Sequence, residues 1–341
     1  DLNTPPRLVL LNENGKPGRV LLDPNPGLAS RFQLGVVGFM EGTLSTGERF
    51  AASLTLPSHY AKGRKYPLVI QSQGPLVEPH KFTLYGCGGE AGLGPSAIAP
   101  YASQPLAGRD IAVLHFGVTA KWGGPAEVQA TQRAFEELAA KVIDAGIADP
   151  DRVGICGFSR MGYFAYQAIS HARLSIAAAV VADNVDYSYV QTVLENNWVD
   201  AESAIGAPAS GAGLKQWLLN ATGFNVERIT APLLLIGESG GLQENVVSQW
   251  EIISQLRRLH KPVEMYLMPD MDAHPSHNPQ DPDQVLAVQE RTVDWFDFWL
   301  RGHEGSDAAK REQYQRWEKL CDLQVKGNPN RPAFCVRSSA H

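Results

Sequence analysis

Short apolar strands alternate with helical stretches from Val36 onward, and this alternation restricts the fold more than any other feature of the chain. Strands joined through helices need crossover connections, which build a mostly parallel sheet covered on both faces. The expected strands are Val36 to Gly42, Phe50 to Leu56, Pro67 to Ile70, Ile111 to Leu114, Arg152 to Gly157, Ile176 to Ala182, Pro232 to Ile236 and Val263 to Met268. Apolar spacing predicts helices over Pro125 to Ala145, Met161 to His171, Val247 to Leu259 and Pro282 to Leu300. The stretch Tyr187 to Phe224, aromatic and rich in Asn, Gly and Ala, reads as irregular: a cover over a site or a surface excursion. With 341 residues, 44% of them apolar, the chain can bury one large core, so one main domain with attachments is expected.

Other classes fall away on composition. A net charge of −6 and the absence of any Lys/Arg run argue against nucleic acid as a partner. No apolar run approaches the roughly 18 residues of a membrane span, so the chain reads as soluble, and its compartment, bacterial cytoplasm or periplasm, stays unknown. It begins at Asp1 rather than Met and reads as a processed or excised piece. Cys87, Cys156, Cys321 and Cys335 contain no C-x-x-C pair, so no metal site is expected, and no cofactor is called for. Cys156 reads as a small core residue, and whether Cys321 and Cys335 are bridged is left open.

The chemistry centres on Gly157-Phe158-Ser159-Arg160-Met161-Gly162, which joins a buried strand to a helix. A tight strand-to-helix turn lifts the Ser159 hydroxyl above the sheet edge, and the helix N-terminus favours negative charge beside it. The usual fifth-position Gly is replaced by Met161, with Gly162 one place later. A serine hydroxyl needs a base, and the base needs an orienting acid; in this arrangement they follow in the order Ser, acid, His. The acid should follow the strand ending at Ile236, where Glu238 and Glu244 are candidates and Glu244, just ahead of the next helix, is preferred. The base should follow Met268, where His274 is preferred over His277. For the oxyanion, the expected donors are the backbone N–H of Arg160 and Gln73, in the loop after the strand Pro67 to Ile70.

These residues, with Lys65-Tyr66-Pro67-Leu68-Val69-Ile70, Asp149-Pro150-Asp151-Arg152-Val153-Gly154, Lys261-Pro262-Val263-Glu264 and Val293-Asp294-Trp295-Phe296-Asp297-Phe298-Trp299-Leu300, resemble the catalytic domain of the prolyl oligopeptidase family of serine peptidases. The resemblance implies an α/β-hydrolase fold with a mostly parallel central sheet, preceded by a β-propeller. The hairpin read from Pro6 to Leu22, otherwise an N-terminal arm, then looks like the end of a last propeller blade, and most of the propeller would be absent from this chain. Within that family the chain looks most like the lasso peptide isopeptidases, on Tyr187-Ser188-Tyr189-Val190-Gln191, Gly223-Phe224-Asn225 and the tail from Ala309 to Trp317. That likeness implies a Glu as the triad acid, near Glu244. Two departures stand out: Gln73 replaces the Tyr that commonly supplies an oxyanion donor, and the His loop is a few residues longer than usual.

The expectation is therefore a propeller end and linker over residues 1–30, a catalytic domain over 31–302 and a C-terminal extension over 303–341. Glu244 would orient His274, His274 would deprotonate Ser159, and Ser159 would attack an amide carbonyl in a peptide, for a lasso peptide the isopeptide bond closing its ring. The rival readings are a general oligopeptidase or dipeptidyl peptidase, a carboxylesterase, and a catalytically dead fold used for binding.

Overall fold

The computed structural model describes residues 2–75, 81–87, 99–120, 123–238, 243–268, 281–327 and 333–336. An antiparallel hairpin, β1 (Leu8–Leu11) and β2 (Pro17–Leu22), leads through a single turn, α1 (Leu28–Arg31), into β3 (Val37–Thr43), β4 (Arg49–Thr55) and β5 (Tyr66–Pro75). A two-stranded flap, β6 (Phe82–Thr83) and β7 (Gly86–Cys87), precedes α2 (Ser103–Ala107), β8 (Ala112–Val118), α3 (Pro125–Asp144), β9 (Ala148–Phe158), α4 (Arg160–His171) and β10 (Ala178–Ala182). Three short helices follow: α5 (Tyr189–Glu195), α6 (Trp198–Ile205) and α7 (Leu214–Asn220). The chain then forms β11 (Leu233–Glu238), α8 (Gln243–Arg258), β12 (Val263–Met268), α9 (Pro282–Arg301) and α10 (Arg311–Gly327).

Eight strands form one sheet in the order β12-β11-β10-β9-β5-β8-β4-β3. β4 runs antiparallel to both β3 and β8, while the pairings from β8 through β5, β9, β10 and β11 to β12 are parallel. Strand pleating sends alternate side chains to opposite faces, and the two faces feed separate cores. Leu68, Ile70, Leu114, Ile155, Val181 and Leu235 join the layer that holds α3, α4 and α8. Val69, Val113, Cys156, Val180 and Leu234 join the layer that holds α2, α9 and α10. These strands lack polar alternation because both of their faces are buried.

The helices form where their apolar stripe meets one of these layers. α3 starts with Pro125 at its first turn, buries Val128, Thr131, Phe135, Leu138 and Val142, and stops before Gly146 at φ 73°. α9 is capped by the Asp281 carboxylate, which accepts from the backbone N–H groups of Asp283 and Gln284. Its buried Trp295 packs edge to face with Trp317 of α10 and Phe298 edge to face with Trp299, while Trp295 meets Trp299, and Phe298 meets Trp317, at a tilt. A disulfide between Cys321 and Cys335 fastens α10 to the turn Ala333–Val336, and Cys156 is a free, buried thiol. Among the described residues no helix is long and apolar enough to cross a membrane.

Three expectations need correction. The stretch Tyr187 to Phe224 is largely helical, because α5, α6 and α7 are each too short for a periodic apolar stripe to stand out. α8 begins at Gln243 rather than near Val247, so Glu244 lies in its first turn instead of ahead of it. β5 continues past Ile70 to Pro75, which puts Gln73 within the strand rather than in a loop after it; parallel pairing with β8 as far as Pro75 carries the strand on.

Candidate active site

Ser159 occupies the turn between β9 and α4 with φ 55° and ψ −134°, a backbone conformation that costs a non-glycine residue on the order of 1–3 kcal/mol. Three backbone hydrogen bonds hold it there. The Ser159 N–H donates to Ala182 O at 3.1 Å, and its carbonyl accepts from Gly162 N–H at 2.9 Å and Val185 N–H at 3.1 Å. Close approach explains the flanking glycines: a Cβ on Gly157 would stand 2.5 Å from the Met161 carbonyl oxygen, and one on Gly162 would stand 2.3 Å from Asn184 Cβ. The glycine missing from the usual fifth position is therefore unnecessary here, since Gly162 supplies the clearance. The Met161 thioether instead lies 3.7 Å from Ser72 Oγ on β5.

The parallel register brings the ends of the strands that precede the other candidates to the same edge. Phe158 pairs with Ala182, Ala182 with Ile236, and Glu238 with Met268, so the ends of β9, β10, β11 and β12 lie side by side. This C-terminal edge is where open α/β sheets place their ligands. Glu238 is the last residue of β11 and Glu244 lies in the first turn of α8, while His274 and His277 fall outside the described residues, between β12 and α9. Gln73 sits at a register shift: Ser72 pairs with Phe116 and Gly74 with Gly117, so its peptide is left out of the ladder with β8. That bulge adjoins the nucleophile turn through the contact between Ser72 and Met161.

Two features of the site were not foreseen. The guanidinium of Arg160 forms a two-pronged ion pair with Glu127 of α3, Nη1 to Oε1 and Nη2 to Oε2 both at 2.6 Å. The side chains are only 12% and 5% exposed. Arg160 Nε also donates to the Tyr187 hydroxyl at 3.3 Å, and the guanidinium lies 5.0 Å from the Phe164 ring centre. The second feature is Asp186, which is completely buried after β10. Burial pushes its carboxyl up to about 7, against the pull of hydrogen bonds from Ser188. Glu127 looks in the sequence like an ordinary acidic residue of a helix's first turn, and Asp186 like a loop aspartate.

No family model matches the chain. The lasso peptide isopeptidase AtxE2 of Asticcacaulis excentricus is 28% identical over 338 residues, covering 96% of this chain and 47% of that protein. The solved structure of AtxE2 without ligand superposes with a TM-score of 0.75 at 25% identity, over 95% of this chain and 49% of that one. The chain resembles a lasso peptide isopeptidase. A serine-to-alanine variant of AtxE2 with Astexin3-dC4 bound gives a TM-score of 0.74 at 25% identity, over 95% of this chain and 49% of that one. The wider likeness is one of fold: an acylaminoacyl peptidase of Pyrococcus horikoshii gives 0.59 at 13% identity, over 86% of this chain and 46% of that one. Dipeptidyl peptidase 4 of Porphyromonas gingivalis gives 0.61 at 14%, over 84% and 39%. The α/β-hydrolase fold and the resemblance to prolyl-oligopeptidase-type peptidases read from the sequence are thus borne out. The chain spans about half the length of the relatives it matches.

Proposed function

We propose that the protein is a serine peptidase that opens the isopeptide bond of a lasso peptide's macrolactam ring, releasing the linear peptide. The observation that carries the reading is the strained Ser159 turn at the C-terminal edge of the sheet, the edge at which β11 also ends, with the acid candidate Glu238 as its last residue. In this reading Glu244 orients His274, and His274 takes the Ser159 proton as Oγ attacks the side-chain carbonyl of an Asp or Glu in the ring. The Arg160 N–H and Gln73 receive the oxyanion. His274 then protonates the departing N-terminal amine, and water, deprotonated by the same imidazole, hydrolyses the acyl-enzyme. No metal or cofactor takes part.

Residues 31–302 form the catalytic domain and residues 303–341 an extension braced on α9 in this proposal. Residues 1–30 are the end of a propeller module and its linker. Exposed Leu8, Leu10, Leu11, Val20, Leu21 and Leu22 support that assignment, since a hairpin this apolar calls for further strands against it.

Mass spectrometry of the full-length enzyme and its Ser159→Ala variant, each incubated with a threaded lasso peptide and its linear counterpart, tests the reading. A Ser159-dependent gain of one water on the lasso form alone is the expected result. Cleavage of the linear peptide alone would make the protein a general oligopeptidase, and no change in either would remove the peptidase reading.

A further inference from the structure

We infer that Glu127 is a positioning residue for acyl transfer: its carboxylate, acting through the guanidinium of Arg160, holds the peptide N–H that follows Ser159 in the direction the oxyanion requires. This rests on the serine-hydrolase reading above, because that N–H matters only if Ser159 is a nucleophile. Arg160 is the first residue of α4, so the peptide plane between Ser159 and Arg160 is the hinge between a strained turn and a regular helix. A shift of the Arg160 backbone at this hinge would move the N–H off the reacting centre and carry the Arg160 side chain with it. The side chain is fixed at its far end. Both guanidinium prongs meet Glu127, Nε meets the Tyr187 hydroxyl, and the planar group rests over Phe164.

Glu127 is itself fixed, since its Oε2 also accepts from the Gly123 N–H at 2.7 Å, and α3 holds its backbone. Stability alone does not account for such a pair. Replacing a buried ion pair by apolar groups of similar size is often neutral or stabilising, because both charges lose their hydration. What the two-pronged geometry adds is direction: parallel N–H···O bonds define the guanidinium plane as a single contact does not. The same group of residues reaches the helices beyond β10. Gly123 O accepts from Ser203 of α6 at 2.9 Å, and Tyr187 packs edge to face on Tyr163 with ring centres 4.8 Å apart.

The test is the kinetics of fluorophosphonate labelling of the full-length enzyme. Ser159 Oγ bonds to phosphorus, fluoride departs, the hydroxyl proton passes to the base, and the phosphonyl oxygen takes the oxyanion position. A Glu127→Gln variant should lower the maximal labelling rate by about 10- to 100-fold, the range for a displaced catalytic group, with reagent affinity within about twofold, at a temperature below its lowered melting transition, since the Arg160 charge is left buried without its partner. A maximal rate equal to wild type in the folded variant overturns the inference, as does a change in reagent affinity alone. Should Glu127→Gln fail to fold, the paired Glu127→Leu/Arg160→Met variant replaces the ion pair by apolar groups. It should keep the fold and show the same rate loss, and a wild-type rate in it would overturn the inference. Absence of labelling in the wild type would instead remove the serine-hydrolase reading.

Discussion

Gly162 lies against Asn184 so closely that a Cβ on the glycine would stand 2.3 Å from the asparagine Cβ. Neither side can yield freely: Gly162 is in the first turn of α4, and Asn184 adjoins Val185, whose N–H is bonded to the Ser159 carbonyl. A Gly162→Ala variant should lose about 1–3 kcal/mol of stability, the usual range for overpacking. Its fluorophosphonate labelling at Ser159 should drop at least about tenfold. Melting temperature and labelling rate measured together check this, and a folded variant that labels at the wild-type rate would mean that the turn is more yielding than its contacts imply.

Asp186 should make stability depend on pH in a defined direction. Its folded carboxyl titrates near 7, raised by burial and then by the nearby charges of Glu251 and Glu195. The unfolded group releases its proton near 4. Between these values the native state binds the proton and the unfolded state does not, so stability falls as pH rises from about 4 to about 7 and is level above that. An Asp186→Asn variant keeps an acceptor for the Ser188 N–H, whose bond to Asp186 Oδ1 is 2.8 Å, and removes the titration. Urea unfolding at pH 5 and pH 8 should show wild type losing up to a few kcal/mol relative to the variant, at about 1.4 kcal/mol per pH unit. Parallel behaviour of the two proteins would show that the carboxyl is not held protonated.

Substitution should separate the paired candidates. Ser159→Ala and His274→Ala should each reduce kcat by about 10⁴-fold or more, and Glu244→Gln by about 10²- to 10⁴-fold. His277→Ala and Glu238→Gln should stay within about tenfold of wild type. Steady-state hydrolysis of the lasso substrate by the full-length enzyme is the measurement, and a reversed order within either pair would reassign that role.

The disulfide should matter for stability and not for chemistry. Cys321 and Cys335 are 14 residues apart in sequence and brace α10 at the face of the molecule formed with α9. A Cys321→Ser/Cys335→Ser variant should lose up to about 3 kcal/mol, the loop-closure value for a ring of that size. The rate of Ser159 labelling should be unchanged within about twofold. Thermal melts with and without reductant check the first part, since reductant should lower the wild-type transition and leave the variant's alone.

The sequence by itself determined whatever depends on contiguous residues. Strand and helix alternation is a local periodicity, so the order from β8 to α9 could be read from runs such as Ile111 to Leu114 and Pro125 to Ala145. The nucleophile turn was equally legible, because Gly157, Ser159 and Gly162 are adjacent and lie between one strand and one helix. Tertiary structure decided what depends on distant segments meeting. Glu127 and Arg160 are 33 positions apart, and nothing in either neighbourhood says that one carboxylate will take both prongs of the other's guanidinium. Asp186 is a loop aspartate until Thr222, Ser188 and Gln191 close around it and remove water. The start of α8 and the helices α5 to α7 also escaped sequence reading, because segments of one or two turns are stabilised by what they pack against more than by their own pattern.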